Sequence, residues 1–148
     1  MNSIALMNKA ADNIRILAAA AVEKAKSGHP GGAMGGADFI NVLFSEYLEY
    51  DPKNMNYEGR DRFFLDPGHM APMLYAQLCL AGKFTVEELQ TLRQWGSPVT
   101  GHPELEVVRG IENTSGPLGQ GHAYAVGAAI AAKFLAARLG EEVMGQKI

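Results

Sequence analysis

Apolar residues recur at helical spacing in the first third of the chain. Within residues 14–25, Ile14, Leu17 and Ala21 fall on one face, which predicts an amphipathic helix that stops at the breakers Ser27-Gly28. A glycine-rich turn follows over residues 28–36. A second apolar run over residues 39–47 then predicts a helix that ends before a proline. The chain is therefore predicted to begin with two helices separated by a turn.

The middle of the chain contains the best candidate for a β-strand. Arg62–Leu65 is a short, aromatic-rich run, and it is closed by the turn residues Asp66-Pro67-Gly68. A third helix is predicted over residues 71–81. It ends at Gly82, because glycine is the favoured residue just past a helix.

Two more helices are predicted in the second half. The first starts with a capping box, in which Thr85 precedes Glu88 by one helical turn. After a polar loop over residues 97–113, an alanine-rich run predicts a long helix that closes near Gly140. Small residues at every fourth position of this helix would let another backbone come close. They are Gly119, Ala123, Gly127 and Ala131.

Many helices and scarcely one strand predict an α/β fold that is incomplete in this chain. Because parallel strands need a partner, we expect the rest of a parallel sheet to lie outside residues 1–148, which form one truncated domain. The composition is 47% hydrophobic and 20% charged, as in a globular protein.

Charge and hydropathy exclude several classes of partner. The net charge is −3 and the basic residues are scattered, so no nucleic acid or anionic membrane is expected as a partner. The only cysteine, Cys79, lies in an apolar run, where a buried, inert thiol is expected. No secretory signal or membrane span is recognisable, which favours the cytoplasm.

All four histidines directly follow a glycine: His29, His69, His102 and His122. Glycine permits tight loops and close approach of the backbone to a ligand, so each imidazole is predicted to lie on a turn against a small molecule. Two of the pairs continue into proline, at Gly28-His29-Pro30 and Gly101-His102-Pro103, which stiffens the chain further. An ordinary loop position is the alternative for any single Gly-His pair.

A glycine-rich loop, Gly116–Gly121, opens the last helix. Backbone N–H groups at a helix start and the helix dipole favour an anion there, although a plain loop remains the alternative. It lacks the Lys-Ser/Thr ending of a P-loop. The histidines are too far apart in sequence for a typical metal motif, and no nucleophile elbow exists. Imidazoles that converge on one ligand, as hydrogen-bonding and proton-transferring groups, remain the best interpretation.

Four motifs together closely resemble the start of transketolase. They agree in wording, order and spacing, and the resemblance runs from about Ala11 to Lys133. The motifs are Ser27-Gly28-His29-Pro30-Gly31, Arg60-Asp61-Arg62-Phe63-Phe64-Leu65 followed by Gly68-His69, Gly101-His102-Pro103-Glu104, and Gly116-Pro117-Leu118-Gly119-Gln120-Gly121.

The resemblance implies the helix-rich N-terminal part of the pyrophosphate-binding domain of a thiamine-diphosphate enzyme. His29 would help proton transfer and His102 would hold the donor sugar, so both are implied catalytic residues. His69, Gly116 and Leu118 would bind the cofactor. The implied partners are sugar phosphates, a divalent cation (Mg or Ca) with ligands outside this chain, and the remainder of transketolase or a complementary subunit, with a homodimer in the complete enzyme.

The sequence also departs from the family pattern. Asp66-Pro67 and Met70 surround Gly68-His69 where the family has other residues, and an acid near a diphosphate is unfavourable unless it points away. His122 stands where the family has an aliphatic residue, and we interpret it as a structural histidine at a helix start.

The family's cation-binding stretch and its activating glutamate are expected beyond Ile148. The chain alone is therefore expected to be inactive. Two functions stay open: part of a transketolase that transfers a two-carbon ketol unit from a ketose phosphate to an aldose phosphate, or a truncated, non-catalytic homologue that acts as a binding or assembly module.

Overall fold

A computed structural model describes residues 2–148, and this part of the chain is helical. Its α-helices are α1 (Ile4–Ala25), α2 (Pro30–Gly35), α3 (Ala37–Val42), α4 (Ala71–Leu80), α5 (Val86–Leu89), α6 (Gln120–Leu139) and α7 (Glu141–Met144). A π-helical turn continues α3, and two 3₁₀ turns interrupt the loops: Leu43–Tyr47, Gly68–Met70 and Val107–Arg109. Within these residues, no helix combines the length and the apolar character needed to span a bilayer.

Helix α1 confirms the first predicted helix, but it begins earlier, at Ile4. The Ser3 hydroxyl caps it by accepting a hydrogen bond from the Leu6 N–H at 3.2 Å. Its buried face consists of small or β-branched residues, among them Ile14 and Ala18, so α4 can pack closely against it. The helix ends at Lys26, whose backbone is left-handed.

Helix α4 is the centre of the core and confirms the third predicted helix. It packs against α1, α2, α3 and α5, and its side chains from Ala71 to Leu78 are all buried. A helix that is apolar on every side belongs inside a protein. Tyr75 lies edge-on to Phe84, with ring centroids 5.2 Å apart. Cys79, expected to be buried, is only half-buried at the end of α4, and burial raises its thiol pKa.

Two of the predicted elements differ from the structure in extent. The glycine-rich turn over residues 28–36 is mostly helix α2, because Pro30 at the first helical position presets the backbone for a helix. The capping box is confirmed: the Thr85 N–H donates to the Glu88 carboxylate at 2.8 Å, and the Glu88 N–H donates to Thr85 Oγ1 at 3.1 Å. The helix that follows, α5, is a single turn.

The predicted strand Arg62–Leu65 is wrong for the described residues, which contain no strand and therefore no parallel sheet. The Leu65 N–H donates to Asn113 Oδ1 at 2.9 Å, and the Leu65 carbonyl accepts from Asn113 Nδ2 at 3.2 Å. The Arg62 N–H donates to the Lys147 carbonyl at 2.9 Å. The Asn113 amide and one backbone hydrogen bond to Lys147 thus satisfy backbone groups that would otherwise pair with a neighbouring strand. The described fold is helix-rich.

Helix α6 confirms the long alanine-rich helix, and it projects from the core. Among its residues only Gly121 and Ala132 are buried, and its main helix contact is with α7. Large apolar side chains are exposed along it: Tyr124, Val126, Ile130, Phe134, Leu135 and Leu139. The row of small residues is exposed as well. Residues 2–148 therefore do not supply the tight neighbour that this row predicts.

Candidate functional site

Three of the four histidines converge at one end of the helical core. His29 is the residue before α2, and its backbone is extended. His69 lies in the 3₁₀ turn that leads into α4. The rings of His29 and His69 are stacked at a tilt of 40°, with centroids 4.7 Å apart. We call His29, His69 and His102 the histidine cluster.

His102 is grouped with them because it lies near enough for the charged forms of their rings to act on its pKa. Partial burial is the first cause that holds the pKa of His102 below its ordinary value, followed by Arg93, His69 and His29 in their charged forms. Because a histidine pKa is already near 6.5 in water, the His102 ring is neutral at pH 7. A neutral imidazole can donate one hydrogen bond and accept another, as binding a hydroxyl group requires.

Gly68 lets the His69 turn pack closely against the glycine-rich loop. A Cβ at this position would lie 2.9 Å from the carbonyl carbon of Ser115, so only glycine permits this contact. On the other side of the loop, a Cβ at Gly116 would meet no atom within 4 Å, and Leu118 is 74% exposed. Beside the cluster, the loop therefore presents an open face.

His122 contacts an acidic side chain at the start of α6. It is in the first turn of α6, where Nδ1 contacts Oδ2 of Asp66. The Asp66 side chain is only 6% exposed, and the same oxygen accepts a hydrogen bond from the Gly119 N–H at 2.9 Å. The Asp66 carboxylate therefore lies at the start of α6, where the helix dipole favours negative charge.

A buried ion pair holds the segments that lead into the site. Arg60 donates to both carboxylate oxygens of Glu112, at 2.7 and 3.1 Å, and the two side chains are only 3% and 7% exposed. Next to it, Asn113 binds Leu65 through both polar atoms of its amide. The segments before His69 and before Gly116 are therefore tied together. Arg60 belongs to one of the four sequence motifs. Glu112 and Asn113 lie in a predicted polar loop, and no sequence pattern indicated a role for them.

Asp61 anchors two further segments beside this ion pair. Its carboxylate accepts hydrogen bonds from the Glu49 N–H at 2.8 Å, the Lys147 N–H at 2.6 Å and Lys147 Nζ at 2.9 Å. Burial alone would raise the pKa of Asp61, but these bonds outweigh it and hold the pKa below its ordinary value. The carboxylate is therefore ionised at neutral pH.

Among residues 2–148, no group of three or more His, Cys, Asp or Glu side chains is arranged to hold a metal ion. The histidine cluster offers imidazole groups, and the glycine-rich loop offers a backbone without an obstructing side chain. Such a set suits a ligand that carries both anionic and hydroxyl groups. It contains no side chain arranged as a nucleophile with a base.

The chain matches a family of thiamine-diphosphate-binding domains over nearly its whole length. The family model described as "Transketolase, thiamine diphosphate binding domain" matches residues 6–147, nearly the whole chain. The chain therefore belongs to the transketolase family, as the four motifs predicted.

Individual relatives agree with this assignment. The transketolase of Rhodobacter capsulatus is 49% identical over 142 residues, which cover 95% of this chain and 21% of that protein. The crystal structure of transketolase from Campylobacter jejuni has a TM-score of 0.89 and 41% identity over 97% of this chain and 22% of that one. A Pichia stipitis transketolase in complex with sedoheptulose 7-phosphate has a TM-score of 0.84 and 45% identity, covering 88% and 19%. The chain thus spans about one fifth of the length of these relatives.

Proposed function

We propose that the chain contributes one wall of the active site of a transketolase, which transfers a two-carbon ketol unit from a ketose phosphate to an aldose phosphate. The observation that carries the proposal is the convergence of His29, His69 and His102, in a chain of this family, beside an open glycine-rich loop. The Pichia stipitis relative that binds sedoheptulose 7-phosphate supports sugar phosphates as the substrates.

The residues present fit thiamine diphosphate. His69 is half-buried and can donate a ring N–H to the diphosphate, whereas Asp66 turns an oxygen towards α6. The open face at Gly116 lets a ligand reach the backbone there and at Leu118, and the buried Ser115 Oγ has no partner within the described chain. When bound, thiamine diphosphate supplies the carbanion chemistry that makes and breaks the carbon–carbon bond.

His29 and His102 are the proposed catalytic residues of this chain. His29 is exposed next to His69, where it can hold or move a proton at an oxygen of the substrate. His102, neutral at pH 7, can bind the hydroxyl group of the donor sugar. Such bonds place the sugar and keep its reacting oxygens near the imidazoles.

The remaining parts of the site are proposed to come from outside the chain. A divalent cation, Mg or Ca, would be held by ligands outside residues 1–148. The exposed apolar side chains of α6 would be covered by the remainder of transketolase or a complementary subunit, in an enzyme that is a homodimer. The chain alone would then be inactive.

The bare apolar face of α6 also favours a second candidate function. A non-catalytic homologue could use this face as a binding or assembly module. Calorimetric titration with thiamine diphosphate and magnesium, together with light scattering, separates the candidates. Residues 1–148 alone should associate and bind the cofactor weakly at most, and the complete enzyme should bind it and be active. Micromolar binding by a folded monomer of 148 residues would contradict the proposal.

Two variants of the complete enzyme test the assignments within the site. His102→Ala should cost about 1.5–3 kcal/mol of transition-state stabilisation, the range for a lost bond to a polar or charged partner, with cofactor affinity unchanged. Gly116→Val should weaken cofactor binding by blocking close approach and leave the helix content intact, since a Cβ there meets no other part of the chain within 4 Å. A weakened cofactor affinity in the first variant, or a native affinity in the second, would overturn the corresponding assignment.

A further inference from the structure

Arg93 connects the loop that carries His29 with the loop that carries His102. Its Nη1 donates a hydrogen bond to Ser27 Oγ at 2.9 Å, just before His29 in the chain. On the opposite side, its guanidinium lies against the glycine that precedes His102. A Cβ at Gly101 would come within 2.6 Å of Arg93 Nε and 3.1 Å of Cζ, so a larger residue there would displace the Arg93 side chain.

The fold holds the backbone of Arg93 in an uncommon conformation. Its backbone is left-handed, with φ of 61°, an uncommon conformation for a residue other than glycine. The Arg93 N–H donates to the Val99 carbonyl at 3.0 Å, which closes the loop between them. This conformation persists because its surroundings determine it, and such residues cluster at functional sites.

The His102 loop has a second anchor in the core. The hydroxyl groups of Tyr75 and Thr100 are 2.9 Å apart, and the Thr100 hydroxyl donates to the His102 carbonyl. Tyr75 belongs to the buried helix α4. The His102 loop is therefore fixed to the core by this chain of hydroxyl groups and to the His29 loop by Arg93.

We infer that Arg93 is a positioning residue, which sets the separation of the His29 and His102 loops and so fixes how the two imidazoles face a donor sugar. The inference rests on the proposed function, but its physical basis is the bridge from Ser27 to Gly101. A guanidinium suits this task because its planar group can donate a hydrogen bond from one edge, here to Ser27, while it packs against the backbone at Gly101. Arg93, His102 and Glu104 also line an open cavity of about 770 Å³.

The charge of Arg93 provides a readout that packing alone would not change. The charged and titratable groups around His102 are Arg93, His69, His29 and, on the same loop, Glu104. Because the positive charge of Arg93 helps to hold the pKa of His102 low, removal of that charge should raise the pKa towards its ordinary value. NMR titration of the histidine rings in the complete protein, without substrate, measures this pKa directly.

The experiment compares three variants with a matched control. Arg93→Gln removes the charge, Arg93→Lys keeps the charge but loses the fork, and Ser27→Ala removes only the acceptor. The control is Lys24→Gln: Lys24 Nζ donates to Gln90 Oε1 at 2.7 Å, which is another exposed bond from α1 to the segment after α5, at a site outside the histidine cluster. Thermal unfolding should be unchanged in all four, since Arg93, Ser27 and Lys24 are exposed.

The expected results distinguish positioning from a merely structural role. Arg93→Gln should raise the pKa of His102 and lower kcat/KM about tenfold, the equivalent of one lost charged hydrogen bond. Arg93→Lys should keep the low pKa but not recover the full kcat/KM. Ser27→Ala should lower kcat/KM less than Arg93→Gln does. The double variant that combines Ser27→Ala with Arg93→Gln should have a kcat/KM no lower than that of Arg93→Gln alone. Lys24→Gln should change neither quantity.

An unchanged pKa of His102 in Arg93→Gln, or additive losses in the double variant, would overturn the inference. An enzyme without any transketolase activity would instead overturn the proposed function, and the histidine titration would still decide the role of Arg93. The two failures are therefore distinguishable.

Discussion

The helical core and helix α6 are both rich in apolar residues, but their surroundings are opposite. In the core, the side chains of α4 from Ala71 to Leu78 are all buried. In α6, Ile130 is 66% exposed and Phe134 55% exposed. Helix α4 packs against α1, α2, α3 and α5, whereas α6 has α7 as its main helix contact.

This difference shows which parts of the site the chain can build alone. The His29, His69 and His102 loops begin or end at helices of the core, and a buried ion pair ties the segment before His69 to the segment before Gly116. Helix α6 begins at the glycine-rich loop but gains little from burial, so its stability depends on whatever covers it. We therefore expect perturbations of the core to act in the chain alone, and perturbations of α6 to act mainly in an assembly.

The largest expected effect is the loss of the buried ion pair. Glu112→Ala leaves the Arg60 guanidinium buried without its carboxylate partner, which costs about 3–5 kcal/mol. The free energy of unfolding in urea measures the loss. As a control, Glu23→Ala breaks the exposed ion pair with Lys26 and should leave the unfolding midpoint unchanged. Equal effects of the two variants would contradict the role given to the Arg60–Glu112 pair.

A pair of truncations compares the two regions directly. Leu74→Ala in α4 should destabilise the chain by about 2–5 kcal/mol, because it opens a cavity among buried side chains. Ile130→Ala in α6 should change the stability of the chain alone, in a solution dilute enough to keep it monomeric, by less than about 0.5 kcal/mol, because the side chain is already in water. In the complete enzyme, Ile130→Ala should become destabilising. Denaturant unfolding of both forms decides, and a large loss from Ile130→Ala in the isolated chain would show that α6 is packed there.

The pH dependence of stability sharpens the account of the core. The folded-state pKa of Asp61 lies below the unfolded value near 3.9, so its contribution is present above that pH and is lost as the pH falls through the folded value. Asp61→Asn should therefore lower the free energy of unfolding by about 1.5–3 kcal/mol at pH 7. The difference should fade at strongly acidic pH. Asp12→Asn, at an exposed carboxylate, serves as the control. A difference that grows in acid would be the wrong sign.

The smallest effect tests the row of small residues on α6. A Cβ at Gly127 would meet no atom within 4 Å, so Gly127→Ala should stabilise the chain alone by about 0.5–1 kcal/mol through helix propensity. In the complete enzyme the same change should weaken assembly, if another backbone packs on this row. Thermal unfolding measures the first effect and the dimer dissociation constant measures the second. An unchanged dimer dissociation constant would show that no other backbone packs closely on this row of small residues.

The sequence predicted the helices better than it predicted the connections between them. The periodicity of residues 14–25 and the capping box at Thr85 are local signals, and both helices form. The Arg62–Leu65 strand failed because the Asn113 side chain, distant in sequence, binds the backbone of Leu65 where a second strand was expected. No local pattern reveals such a partner.

The glycines before the histidines show the same limit. Turn geometry was the expected reason for them, but among these glycines only Gly28 has a positive φ, of 142°. A Cβ at Gly68 or Gly121 would instead collide with the backbone of Ser115 or Leu65. Their cause is contact with segments distant in sequence, which a pattern along the chain cannot show. The roles of His29, His69, His102, Gly116 and Leu118 towards cofactor and substrate stay predictions.

Hydrogen exchange tests the contrast between the core and α6 most directly. In a dilute solution of residues 1–148, the backbone amides of α4 should exchange at least about a hundredfold more slowly than those of α6, because α6 can open without disturbing the core. In the complete enzyme, the protection of α6 should rise towards that of α4. Equal protection of the two helices in the monomeric chain alone would contradict the account, because α6 would then be stable without a partner.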